Sequence, residues 1–73
     1  MRGKIEEILQ RINPSIKSGI NLIEAGLVDS FEVMNIIMEL EEAFEIEIDA
    51  EDVIAENFQS VDTIVELVEK TMA

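Results

Sequence analysis

Apolar residues recur at helical spacing in three stretches of this chain. Ile5, Ile8, Leu9 and Ile12 fall at i, i+3, i+4 and i+7, and Asn13-Pro14 ends the run because the residue before a proline avoids the α region. The spacing predicts a first helix over about 3–13. Val33, Ile36, Ile37, Leu40, Ala43 and Phe44 share one broad face of a second helix, which opens at Asp29-Ser30 and runs to about Phe44. Val61, Ile64, Leu67 and Val68 share one face of a last helix, with Ser60 placed to cap it. Between the first two helices lies a long linker with Gly19, Gly26 and the apolar trio Ile20, Leu22 and Ile23. It reads as a loop pinned to the core through one helical turn around 21–25. Glu45 to Asp49 breaks the helical pattern, and Ala50 to Ile54 predicts one or two further turns. Glu45-Ile46-Glu47-Ile48 alternates with period 2, but no second run exists for it to pair with. The expected class is an all-α bundle forming one domain over residues 1–73, since a chain this short buries only about 60% of its unfolded surface and has no room for a second core.

The second helix carries a second apolar stripe. Phe31, Met34 and Met38, at i, i+3 and i+7, lie nearly opposite the core face, with Glu41 on one side and Asn35, Glu39 and Glu42 on the other. A small bundle cannot bury both faces of one helix. Either the long linker folds over this patch, or it is an exposed surface with an acidic rim, suited to docking proteins through adaptable Met side chains.

Composition narrows the chemistry. The chain has no Cys, His, Trp or Tyr, which removes disulfides, thiolate and imidazole metal sites, and the usual nucleophile–base pairs. Self-contained catalysis is not expected, and no metal site is. The net charge is −12, a field that repels the phosphate backbone supplying most nucleic-acid affinity. The acid is concentrated: residues 1–28 hold four basic and three acidic groups, net +1, and residues 29–73 one basic and fourteen acidic, net −13. A protein partner with a Lys/Arg patch fits that asymmetry, as does plain solubility. A hydrophobic content of 48% is too high for a disordered acidic tail. The N-terminus has no signal-peptide core and no apolar run approaches the ~20 residues of a membrane span, so a cytoplasmic monomer is expected.

At the start of the second helix, Asp29 and Glu32 have capping-box spacing, with the Asp29 carboxylate on the N3 amide and Glu32 reaching back. Ser30 then sits at the first helical position and is not needed as the cap. Its hydroxyl lies at the helix tip, where free backbone N–H groups and the positive end of the dipole tolerate a phosphate on that oxygen. Taken alone, an Asp-Ser pair at a helix start is ordinary capping.

Gly26-Leu27-Val28-Asp29-Ser30-Phe31, followed by Met38-Glu39-Leu40-Glu41-Glu42-Ala43-Phe44-Glu45-Ile46-Glu47-Ile48, resembles the prosthetic-group segment of the acyl carrier and peptidyl carrier protein family. In that family an Asp-Ser-Leu motif opens the second helix of a four-helix bundle with a long first loop and a short third helix, and the serine carries 4′-phosphopantetheine. The resemblance covers essentially the whole chain. It implies that Ser30 is the attachment point with Asp29 beside it, and that Phe31, Glu32, Met34, Met38, Glu39 and Glu42 meet a phosphopantetheinyl transferase and other enzymes with basic docking surfaces. Phe31 replaces the usual Leu, Asp49 stands where many fatty-acid carriers have Pro, and the stretch from Ile48 to Val61 is about two residues longer. The Gly-Leu-Val-Asp-Ser-Phe run looks more like stand-alone aminoacyl carriers, including D-alanyl carriers, than like the fatty-acid type. Such a carrier forms no bonds itself: a chain without a thiol borrows a reactive –SH from its arm, which presents an acyl or aminoacyl cargo at high effective concentration to the docked enzyme.

An EF-hand reading of Asp49, Glu51 and Asp52 fails because Val53 and Ile54 fall where an oxygen ligand and a Gly are needed. A carboxylate-only hydrolase would need a cleft that this length does not build. The competitor from another class is an acidic helical adaptor without a prosthetic group. The charge asymmetry has a direct consequence for the fold: with −13 in residues 29–73, the melting temperature should rise as salt or divalent cations screen the repulsion. A melting temperature indifferent to ionic strength at neutral pH would show that the repulsion is not felt by the folded state.

Overall fold

The computed structural model describes residues 1–72. Helix α1 spans Arg2–Ile12, α2 Ser30–Phe44 and α3 Val61–Met72, and no strand occurs among the described residues. The expected bounds of α1 and α2 and the expected start of α3 hold to within one residue, α1 beginning and ending one residue earlier than expected, with Asn13 as its C-cap in extended backbone. None of the helices is long and apolar enough to cross a membrane.

Each helix presents one buried stripe to a common core: Ile5, Ile8 and Leu9 from α1, Ile36, Ile37 and Leu40 from α2, and Val61, Ile64, Val65, Leu67 and Val68 from α3. Helix α1 packs against both of the others and holds them together. The connections add Ile16, Leu22, Val28, Ile48 and Phe58 to the same cluster. No polar or charged residue is buried in it, and Met is absent from it as well. Val33 and Phe44 are packed at its margin, but Ala43, expected in the core, is exposed. At 100° per residue it lies at the edge of the α2 stripe, where neighbouring helices do not reach.

The all-helical class holds, but the described residues form three α-helices and not four. Where a short third helix was expected, there are two one-turn 3₁₀ helices, Ala50–Asp52 and Ala55–Asn57. Between them Ile54 is extended, at φ −128° and ψ 153°. Several local costs act against a continuous helix here. Asp52 and Glu56 would face each other as like charges at i, i+4, β-branched Val53 and Ile54 lose side-chain freedom in a helix, and a segment this short cannot repay helix nucleation. Asp52 holds the broken segment in place. Its carbonyl accepts from Asn57 Nδ2 at 2.7 Å and its carboxylate from Lys70 Nζ at 2.8 Å. That hydrogen bond, and then the charge of Asp52, raise the Lys70 pKa above its ordinary 10.5. A raised cation contributes below its unfolded pKa and loses its contribution only as pH climbs through the folded value, so this tether is complete at neutral pH.

The end of α2 is shaped by Glu41. Glu45 takes a left-handed conformation, φ 53° and ψ 48°, a position that favours Gly. The Glu41 carbonyl accepts from the amides of Glu45 and Ile46, and its carboxylate accepts from the Ile48 amide at 2.9 Å. The chain is thereby turned so that Ile48 enters the core.

The two faces of α2 should separate cleanly in unfolding experiments. Leu40→Ala opens a cavity at a fully buried position and should cost ~2–5 kcal/mol, which approaches the whole stability of so small a core, ~3–5 kcal/mol. Met34→Ala and Met38→Ala remove exposed side chains and should stay within about 0.5 kcal/mol. Denaturant midpoints read both, and equal losses would mean that the outer face is covered.

Candidate functional site

The long connection delivers the chain to α2 in a defined position. Asn21 Oδ1 accepts from the amides of Ile23 and Glu24 at 3.1 and 2.9 Å, and the Ala25 amide bonds to the Asn21 carbonyl, which builds the single turn expected around 21–25. Gly26 ends it at φ 75°, a conformation that strains any residue with a Cβ. The amides of Leu27 and Val28 then return to the Leu22 carbonyl, and the Leu22 amide reaches the Gln59 carbonyl at 2.6 Å. Asn13 Nδ2 donates to the Leu27 carbonyl from the end of α1. Leu22 and Val28 are buried, Ile20 is half-buried, and Ile23 is left exposed.

With its approach fixed, Asp29 is the N-cap of α2. It is extended, its Oδ1 accepts from the Glu32 amide at 2.8 Å, and its carbonyl accepts from the Val33 amide at 2.9 Å. The return half of the capping box does not form: no hydrogen bond joins the Glu32 carboxylate to the Asp29 amide among the described residues, so this is a one-sided cap. Ser30 is the first helical residue and is exposed, and its hydroxyl has no hydrogen-bond partner among the described residues. Other serines differ. Ser60 Oγ is engaged as the α3 cap, accepting from the Thr63 amide at 3.1 Å, and Ser18 Oγ accepts from Arg2 at 3.1 Å. Ser15 is exposed in the turn after α1, away from any helix start.

Beside Ser30 an open groove of about 370 Å³ is lined by Val28, Asp29, Val33 and Met34 around the start of α2 and also by Ile23, Val53, Ile54 and Ala55. Its walls are mainly carbon. The sequence pattern does not place Ile23, Val53, Ile54 and Ala55 at this site; the available signal was apolar Val53 and Ile54 between Asp52 and Glu56. Farther along the helix, Phe31, Met34 and Met38 are 75%, 57% and 64% exposed. The linker does not cover them. Glu42 is exposed near this stripe and Glu32 is half-buried. Glu39 is exposed but paired with Arg11 of α1 at 3.7 Å. Glu41, placed on the rim by its position in the sequence, is half-buried and spent on the Ile48 amide.

A family model described as phosphopantetheine attachment site matches residues 1–69. The chain belongs to that family. No curated protein matches it. Members of the family carry 4′-phosphopantetheine covalently on a serine. The residues at the tip of α2 fit such a group. An unpaired, solvent-facing hydroxyl lies at a helix N-terminus whose free N–H groups and dipole favour a phosphodiester, and an apolar groove adjoins it.

The division of labour between neighbours is measurable by unfolding. Asp29→Ala removes the side-chain acceptor and should cost about 0.5–2 kcal/mol. Ser30→Ala removes a hydroxyl without a partner and should cost less than ~0.5 kcal/mol, as surface changes do. A larger loss in Ser30→Ala than in Asp29→Ala would make the serine the true cap.

Proposed function

We propose that Ser30 is the serine that bears the 4′-phosphopantetheine arm, and that the chain is a carrier, not an enzyme, holding an acyl or aminoacyl group for other proteins to act on. The observation that supports this most is the free Ser30 hydroxyl. Asp29 takes over the capping role, and the serine is left exposed at the positive end of a helix in a chain of the phosphopantetheine attachment family. When bound, the arm supplies the thiol on which cargo is held as a thioester, a group this chain lacks because it has no Cys.

The protein's own residues have three tasks. Asp29 and the pinned connection before it hold Ser30 at the helix tip. Free N–H groups of the first turn favour the phosphate charge. The exposed stripe of Phe31, Met34 and Met38, with Glu42 near it, presents an apolar contact in an acidic field to the phosphopantetheinyl transferase and to loading and downstream enzymes with basic surfaces. The stripe begins one residue after Ser30, so a partner docked there has the serine within its reach. Glu39 is a weaker candidate for the same contact because Arg11 competes for it.

The test is intact-mass analysis after incubation with coenzyme A and a promiscuous transferase. One arm should be added to the chain and none to Ser30→Ala. Addition to the Ser30→Ala variant, or peptide mapping to Ser15, Ser18 or Ser60, would move the site. A chain that takes no arm would be left as an acidic helical adaptor.

A further inference from the structure

Every methionine of this chain stands outside the core. Met1, Met34, Met38 and Met72 are all large exposed side chains, and the buried cluster is built of Ile, Leu, Val and Phe alone. With no Cys, His, Trp or Tyr in the chain, the thioethers are its most readily oxidised groups. Two of the four, Met34 and Met38, are one turn apart on the outer face of α2, and Met34 also lines the groove at Ser30.

We infer that Met34 and Met38 form a reversible oxidation site, at which a hydroperoxide converts the apolar stripe of α2 into a polar one and shuts off docking while leaving the fold intact; the effect on docking rests on the function proposed above. In each oxidation a lone pair of the sulfur takes one oxygen from the hydroperoxide. The O–O bond breaks as the S–O bond forms, and the proton of the transferred oxygen passes to the leaving oxygen, which departs as water or an alcohol. Sulfur loses two electrons and the peroxide gains them. A methionine sulfoxide reductase reverses the change with a dithiol, which becomes a disulfide as the oxygen leaves as water.

The sequence of α2, Ser-Phe-Glu-Val-Met-Asn-Ile-Ile-Met-Glu-Leu-Glu-Glu-Ala-Phe, holds no Lys or Arg. A sulfoxide oxygen therefore finds no cationic donor on its own helix and stays hydrated, and that water must be stripped away before an apolar partner surface can close over it. The fold has no such exposure to oxidation. Leu40 and Ile36 on the opposite face carry the packing, and no Met side chain lies among them.

Two variants of the full chain separate the sites. Met1→Leu/Met72→Leu leaves only Met34 and Met38 oxidisable, and Met34→Leu/Met38→Leu leaves only the terminal pair. Each is treated with hydrogen peroxide, its sulfoxides are located by peptide mass, and the rate of arm addition is compared with that of the same variant before treatment. Helical circular dichroism and the unfolding midpoint are followed alongside. The first variant should lose at least tenfold in rate with its helical signal unchanged, and should recover with a sulfoxide reductase and dithiothreitol. The second should keep its own untreated rate. An equal response in both variants, an undiminished rate in the first, or a loss of helical signal before the rate falls would overturn the inference. If the untreated chain takes no arm at Ser30, the carrier reading falls as well; if it takes the arm and oxidation leaves the rate alone, only the oxidation site falls.

Discussion

A core with room for just one face of each helix governs this molecule. Three short helices and their connections fill it with aliphatic side chains and one Phe, and nothing polar is admitted. Helix α1 touches both partners, so its stripe of Ile5, Ile8 and Leu9 ties α2 and α3 into one unit. Once that centre is filled, the opposite face of α2 has nowhere to go. Phe31, Met34 and Met38 remain largely in solvent because the geometry of a small bundle leaves no helix to cover them. All the chemistry available to the chain is consequently surface chemistry.

Within that limit the start of α2 is the most carefully determined point of the surface. Backbone and side-chain bonds from Asn13, Leu22 and Gln59 position the entering chain, and Asp29 then satisfies the first turn. Ser60, by contrast, is consumed by the α3 cap. Ser30 keeps a free hydroxyl because its predecessor takes the structural duty. That free hydroxyl is the reason the proposed attachment falls on this residue, and the acidic field of the second half extends along the helix that follows it.

Local interactions account for what could be read correctly from the residues alone. The cap at Asp29, the cap at Ser60 and the stop before Pro14 depend on groups within a few positions of one another, so their spacing carries the information. The outward stripe of α2 was legible for the same reason, since helical periodicity assigns faces before any partner is known. The third helix was not legible. Asp52, Val53, Ile54 and Glu56 make that helix costly by small increments, and the choice of two 3₁₀ turns is settled by Asn57 and by Lys70, eighteen positions away from Asp52.

The amino-acid sequence by itself determined three helices and where each begins, the separation of charge between the two halves, and a serine at the tip of an acidic helix. Those properties follow from periodicity, capping and composition, which act over one or two turns. Tertiary structure alone decided which carboxylates are free, because Glu41 is claimed by Ile48 and Glu39 by Arg11 across space. It also decided that Ser30 opens onto a groove lined in part by Ile23 and by Val53 to Ala55. Those residues lie on segments separate in the chain, brought together by burying Leu22 and Phe58 in a common core and by the Leu22 amide bonding to the Gln59 carbonyl, and no pattern of sequence spacing encodes a contact made that way.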